Sequence, residues 1–205
     1  MSCSGPEDRG SLTRPERLTV GSRDATHARR WRRLDLPAFE DFEDDGRTFR
    51  GRVQVDEAVP WSVEYRIAFD GAWATLGTDI SVHRAGRSRR LVLRRELSGL
   101  WLADDCEVEG CRGAFDVDLG VTPSTNTSAI RRLGLAVGAS ADLTATWVRF
   151  PDLVVQPLPQ RYTRLAERSY LYESLRDGVV VFHAHLEVDG TGLVERYEGL
   201  FERVV

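Results

Sequence analysis

Asp116 and Asp118 stand one residue apart in the run Phe115-Asp116-Val117-Asp118-Leu119. On a strand, alternate side chains share a face, so both carboxylates project together, opposite Phe115, Val117 and Leu119. Paired carboxylates do acid–base work when their surroundings push their pKa values apart, and they also bind cations. The bland alternative is pairing with nearby arginines, such as Arg131 and Arg132, to hold a loop. His183, His185 and Glu187 form a second alternating set, a geometry a metal can use. The competing reading is that these are outward-facing or lumen-lining side chains, with Val180, Phe182, Ala184, Leu186 and Val188 on the core side. A third constellation is basic: Arg84, Arg87, Arg89, Arg90, Arg94 and Arg95 crowd one predicted hairpin. Such a patch suits a phosphate, an acidic lipid surface or a protein partner. It also suits the protection of a sheet edge by solvated charge.

The chain has 205 residues, and all 28 of its Lys+Arg side chains are arginine. Without lysine there is no Schiff-base or pyridoxal-phosphate chemistry, and no P-loop. A net charge of −4 and a pI near 5.6 argue against a nucleic-acid partner. Cys3, Cys106 and Cys111 are an odd number of cysteines with no second Cys or His pair spaced to complete a zinc site. No G-x-S-x-G elbow, G-x-G-x-x-G turn or H-E-x-x-H helix is present. The sequence therefore assigns no catalytic residue, metal or cofactor. The polar start lacks an apolar signal core, and no window reaches the length of a membrane span. The expectation is a cytoplasmic protein without a transmembrane segment. The sequon Asn126-Thr127-Ser128 has no meaning without a secretory route.

The elements that must position these groups are mostly strands. Residues 1–27, polar and rich in Gly, Ser and charge, read as a disordered tail. Arginines then flank Trp31, and Glu40, Asp41, Glu43, Asp44 and Asp45 surround Phe42. This reads as a solvated, self-complementing entry segment, or as a basic aromatic patch for an anionic headgroup. Val63, Tyr65, Ile67 and Phe69 alternate with polar residues, the period of a half-buried strand. Further runs follow to Phe201, separated by turn signals at Asp70-Gly71, Gly86, Pro157, Pro159, Asp177-Gly178 and Asp189-Gly190. A short helix begins at a Thr125 or Asn126 cap, carries Ile130 and Leu133 on one face, and stops at Gly134. There is also a faint internal echo: Tyr65 precedes Asp70-Gly71 by five residues, and Tyr172 precedes Asp177-Gly178 by five.

The stretch FDVDLGVTPSTNTSAIRRLGL, followed by WVRFPDLVVQPLPQRYTRL, resembles a bacterial family described as glycolipid-binding. The resemblance rests on the D-x-D-L run at Asp116, Asp118 and Leu119, and on Thr122-Pro123 with Thr125-Asn126-Thr127. It continues through Ile130-Arg131-Arg132-Leu133, Val148 with Pro151, Leu153 and Val155, and Gln160, Tyr162 and Thr163. A W-R-x-L-D-x-P-x-F-E start at Trp31 and a Gly199-Leu200-Phe201 end are similar too, so it spans about residues 28 to 205. Ser124, Ser128-Ala129 and Glu198 stand where the family usually has an aromatic, Leu-Pro and Tyr-Pro-Gly. The resemblance implies an all-β, mainly antiparallel, single-domain β-barrel-like fold over 28–205. It also implies a ligand cavity or tunnel and one or two short helices, and it brings no catalytic residues.

Together these readings predict a non-enzymatic protein that holds an amphiphile, a glycolipid or fatty-acyl compound. Its acyl chain would lie among Trp73, Trp101 and Trp147, with Tyr162 nearby. Its headgroup would meet Asp116, Asp118, Asn126, Arg131 and Arg132. Two alternatives stand beside it. One is a lipid- or glycan-processing hydrolase or isomerase using Asp116 or Asp118 with a histidine; the other is a protein-interaction module working through the arginine hairpin. Ligand identity, pathway and oligomeric state are not written in the sequence.

Overall fold

The computed structural model describes residues 29–204, so the predicted tail at 1–27 lies outside the described residues. The chain forms one fifteen-stranded sheet and, among the described residues, one helix. The first half is an antiparallel meander. It contains β1 (Arg29–Arg33), β2 (Ala38–Asp44), β3 (Thr48–Val55), β4 (Trp61–Phe69), β5 (Thr75–Arg84), β6 (Arg87–Arg95), β7 (Trp101–Ala103) and β8 (Cys106–Glu107). After β9 (Asp116–Leu119) and α1 (Ser124–Leu133), a second meander runs back. Its strands are β10 (Ser140–Arg149), β11 (Val154–Ala166), β12 (Ser169–Arg176), β13 (Val179–Val188), β14 (Val194–Tyr197) and β15 (Phe201–Val204). β15 pairs with β1, joining the halves into the order 8-7-6-5-4-3-2-1-15-14-13-12-11-10-9.

The sheet curls strongly, but its ladder does not close. β9 pairs in parallel with β10, and β8 and β9 are left as the edges of the sheet. Loop contacts bring the ends together: the Thr75 amide donates to the Phe115 carbonyl at 2.8 Å, and the Trp101 indole donates to the Ala114 carbonyl at 2.9 Å. The barrel that the sequence implies is thus an open, barrel-like curl.

Alternation sets the inner face. Trp31, Phe42, Phe49, Val53, Val63, Ile67, Ile80 and Leu93 are almost wholly buried in the first half. Their aromatics stack edge to face or tilted, Trp31 on Phe42 at 4.9 Å, Phe42 on Phe49 at 5.0 Å and Phe49 on Phe69 at 4.7 Å. The acidic segment around Phe42 is therefore not a wholly solvated entry: Trp31 and Glu40 lie in the interior. β11 runs unbroken through Pro157 and Pro159, where turns were predicted. Its pairing with β12 begins only at Gln160, so both prolines border a free strand edge, which tolerates the missing N–H. The Asp177-Gly178 turn links β12 and β13 as read, with positive φ at both residues.

Helix α1 starts at Ser124 with Pro123 as N-cap, slightly before the predicted Thr125 or Asn126 cap. It ends at Gly134, whose φ of 54° returns its N–H to the Ile130 carbonyl. Residues Ser124 to Ile130 are all buried although five of the seven are polar. The helix is a polar plug inside the curl, and its hydroxyls and amide are bonded to different strands. Ser124 meets Tyr65 of β4, Thr125 accepts from the Leu119 amide of β9, Asn126 donates to Tyr162 of β11, and Thr127 accepts from the Val194 amide of β14.

Candidate functional site

In the second half of the curl the interior is not filled. A cavity of about 280 Å³ opens between α1, β9 and the strands β10–β15. Its walls include Trp147, Leu158, Tyr172, Phe182, Tyr197 and Phe201, and Asp118, Thr122 and Asn126 supply polar groups. The rings of Tyr172 and Tyr197 lie 5.9 Å apart, with Phe182 6.2 Å from Tyr172. Among the described residues the Tyr172 and Tyr197 hydroxyls have no side-chain partner, and burial raises both well above the usual tyrosine range. The cavity is thus apolar and aromatic, with a few polar groups concentrated near the start of the helix.

Three sequence motifs converge there. Gln160 Nε2 donates to Asp118 Oδ2 at 2.5 Å, and Asn126 Nδ2 donates to Tyr162 Oη at 2.8 Å. Burial pushes the Asp118 carboxyl up to about 6, against the opposing pull of Gln160 and Thr125. The D-x-D-L, T-N-T and Q-x-Y-T segments therefore meet because strand register and the buried helix bring them to one place.

The remaining expected residues go elsewhere. Asp116 is buried and forms a forked pair with Arg132, Oδ1 to Nε at 2.8 Å and Oδ2 to Nη2 at 2.6 Å. Burial nonetheless pushes its carboxyl above the ordinary range. Arg131 pairs with Asp44 at 2.7 Å, donates to the Thr191 carbonyl, and lies over Trp73 at 4.4 Å. Both arginines clamp the helix end to the sheet, and both are neutralised. Trp73 caps this clamp, and Trp101 is fully buried in the first-half core. Of the three tryptophans expected around an acyl chain, only Trp147 lines the cavity. His183 and His185 are exposed, as is Glu187, so neither histidine converges with the aspartates. Val180 and Phe182, read as core, are 37% and 38% exposed at the free end of β13 beyond its pairing with β14.

Sequence reasoning missed a further buried acid. Glu40 of β2 is 2% exposed and accepts hydrogen bonds from Tyr65 and, at 2.8 Å, from Thr122. Tyr65 also meets Ser124 at 2.8 Å, so this network ties the first half to the start of α1. Burial drives the Glu40 carboxyl up to about 8, and Oε2 has no partner among the described residues. A side chain on Gly51 would overlap the Tyr65 ring, so a glycine is needed beneath it. The available signal was parity: Ala38, Glu40 and Phe42 alternate with exposed residues, which puts Glu40 inward.

A model of the family described as "Putative glycolipid-binding" matches residues 28–203. Among solved structures, the chain is similar to the crystal structure of a DUF1089 family protein from Pseudomonas aeruginosa. The two are 32% identical, with a TM-score of 0.75, over 82% of this chain and 92% of that one. No curated protein matches the chain. No helix among the described residues is long and apolar enough to cross a membrane.

Proposed function

From the premise that the chain belongs to this glycolipid-binding family, we propose that it binds an amphiphile in the second-half cavity without transforming it. The observation that carries this reading is an interior space of about 280 Å³ walled by Trp147, Tyr172, Phe182, Tyr197 and Phe201. Apolar walls with a few convergent polar groups are the usual make-up of a small-molecule site. An acyl chain fits the aromatic part, and the polar end of the ligand meets Asp118, Asn126 and the free tyrosine hydroxyls. Asp116, Arg131 and Arg132 serve the helix clamp in this reading, since their charges are already paired. The exposed Val179, Val180, Val181 and Phe182 lie along the strand that forms one cavity wall and offer an apolar approach to it.

Native mass spectrometry, with lipid extraction of protein purified from cells, tests this. The expected result is a retained or exchangeable acyl compound that is lost in Ser174→Trp and Leu158→Trp, which fill the cavity from two walls. Folded protein that neither carries nor takes up any amphiphile overturns the reading.

A further inference from the structure

The six arginines of the β5–β6 hairpin divide into two classes. Arg90 pairs with Asp79, Arg94 with Asp105 and Arg95 with Asp70. Arg84, Arg87 and Arg89 are exposed, and no carboxylate among the described residues lies within ion-pair distance of them. The turn between Arg84 and Arg87 is the two-residue Ala85-Gly86, with φ of 50° and 71°. Positive φ at both positions is the tight turn that matches strand twist, so Arg84 and Arg87 stand directly opposite each other. Like charges opposed across a ladder are unfavourable unless a counter-charge sits between them.

Arg84 and Arg87 border a surface groove of about 760 Å³. Its floor is a single cross-strand row: Phe39 pairs with Gln54, Gln54 with Ser62, Ser62 with His83 and His83 with Ser88. His83 Nδ1 and Ser88 Oγ are 2.8 Å apart. An amide, two hydroxyls and an imidazole line the groove together with the two unneutralised arginines, and so do Trp61 and Phe39. Asp56, at the far side, is the one carboxylate lining the groove. The groove shares no lining residue with the interior cavity.

We propose that this groove binds a phosphate monoester carried on a sugar-sized polar group. Two facing positive charges match the nearly two negative charges of a phosphate monoester at neutral pH. Planar guanidinium forks suit its oxygens in pairs. The neutral polar groups that line the same groove are of the kind that sugar hydroxyls require. The ester is either soluble or borne by a lipid headgroup, since the recognising chemistry is the same.

Calorimetric titration of the full chain at low salt with glucose 1-phosphate, inorganic phosphate and glucose tests the proposal. Glucose 1-phosphate is expected to bind more tightly than inorganic phosphate, with glucose weakest. R84Q/R87Q is expected to lose at least tenfold in affinity. Its Tm should hold or rise, because an opposed like-charge pair is removed; that separates a binding role from a structural one. Gln54→Ala should reduce the preference for the sugar ester while leaving inorganic phosphate binding intact. Co-sedimentation with phosphatidylinositol phosphate vesicles, lost in R84Q/R87Q and competed by glucose 1-phosphate, identifies a lipid-borne ester. Binding of glucose 1-phosphate without vesicle association identifies a soluble one. Absence of binding to every phosphate probe, or equal binding by R84Q/R87Q, overturns the proposal. Amphiphile retention in the cavity is measured separately and stays unchanged in these variants.

Discussion

The two halves of the curl use the same strand alternation to opposite ends. In the first, Trp31, Phe42, Phe49 and Phe69 interlock and leave no space for a ligand. In the second, Tyr172 and Tyr197 line a cavity, with Tyr162 packed against Tyr172 and Phe182 at the half-exposed edge. The echo between Tyr65 and Tyr172 makes the contrast concrete. Both tyrosines face inward from the strand that precedes a turn, but Tyr65 is locked to Glu40 and Ser124, whereas Tyr172 lines the cavity and its hydroxyl has no side-chain partner among the described residues. One half anchors the polar helix, and the other keeps room beside it. The cavity is what the packing of the second half leaves unfilled, and it is the space to which the proposed function assigns the ligand.

The strongest way to break this comparison is pH. Glu40 titrates at about 8 in the fold against an ordinary 4.5, because burial disfavours its charge. The folded state therefore holds a proton that the unfolded chain has released. Stability contributed this way is complete below pH 4.5 and is lost as pH rises through 8. The expected slope is roughly 1.4 kcal/mol per pH unit over that window. Asp118, raised from 3.8 to about 6, adds a smaller loss in the same direction, ending near pH 6. Urea denaturation between pH 5 and 8.5 should show stability falling with pH throughout in the wild type. In Glu40→Gln the fall should level off near pH 6. An equal slope in both proteins would remove Glu40 from the anchor.

Next in size is the packing contrast. Phe49 is fully buried among aromatic neighbours, so Phe49→Ala is expected to cost about 3–5 kcal/mol. Phe182, 38% exposed at the cavity edge, should cost about 1 kcal/mol when replaced by alanine, and should instead weaken amphiphile retention. Chemical denaturation with native mass spectrometry on the same samples reads both effects. Comparable stability losses in the two variants would mean that the second half is packed as tightly as the first.

The strands were legible because period-two alternation and Asp-Gly turns are local signals. The Tyr65 to Phe69 run and the Asp177-Gly178 hairpin need no distant partner to be recognised. The site was legible only in part. Asp118, Asn126 and Trp147 reach the cavity, but Arg131 and Arg132 look identical in sequence whether they face a ligand or pair with Asp44 and Asp116. That distinction depends on contacts 87 and 16 residues away. Glu40 was hidden for a related reason: four other acids near Phe42 suggest a solvated segment, and only the inward parity of β2 separates it from them. The helix itself was legible from its cap and its Gly134 stop, but its burial was not, because the strand amides that donate to Thr125 and Thr127 are distant in sequence or set by the fold.

The finest test sets the two echoed tyrosines against each other. Tyr65→Phe deletes the hydroxyl that joins Glu40 to Ser124 and leaves a buried acid with fewer partners. Such a loss typically costs about 1–3 kcal/mol. Tyr172→Phe removes a hydroxyl that has no side-chain partner among the described residues, so its expected cost is within about 0.5 kcal/mol. The ranking should invert for binding: Tyr172→Phe should alter affinity for a polar-headed amphiphile more than for a plain fatty acyl chain. Tyr65→Phe should leave that preference unchanged. Guanidinium titrations paired with competition between two such ligands measure both quantities. If Tyr172→Phe proved the more destabilising of the two, the cavity would owe its shape to that hydroxyl, and the division between an anchoring half and an open half would fail.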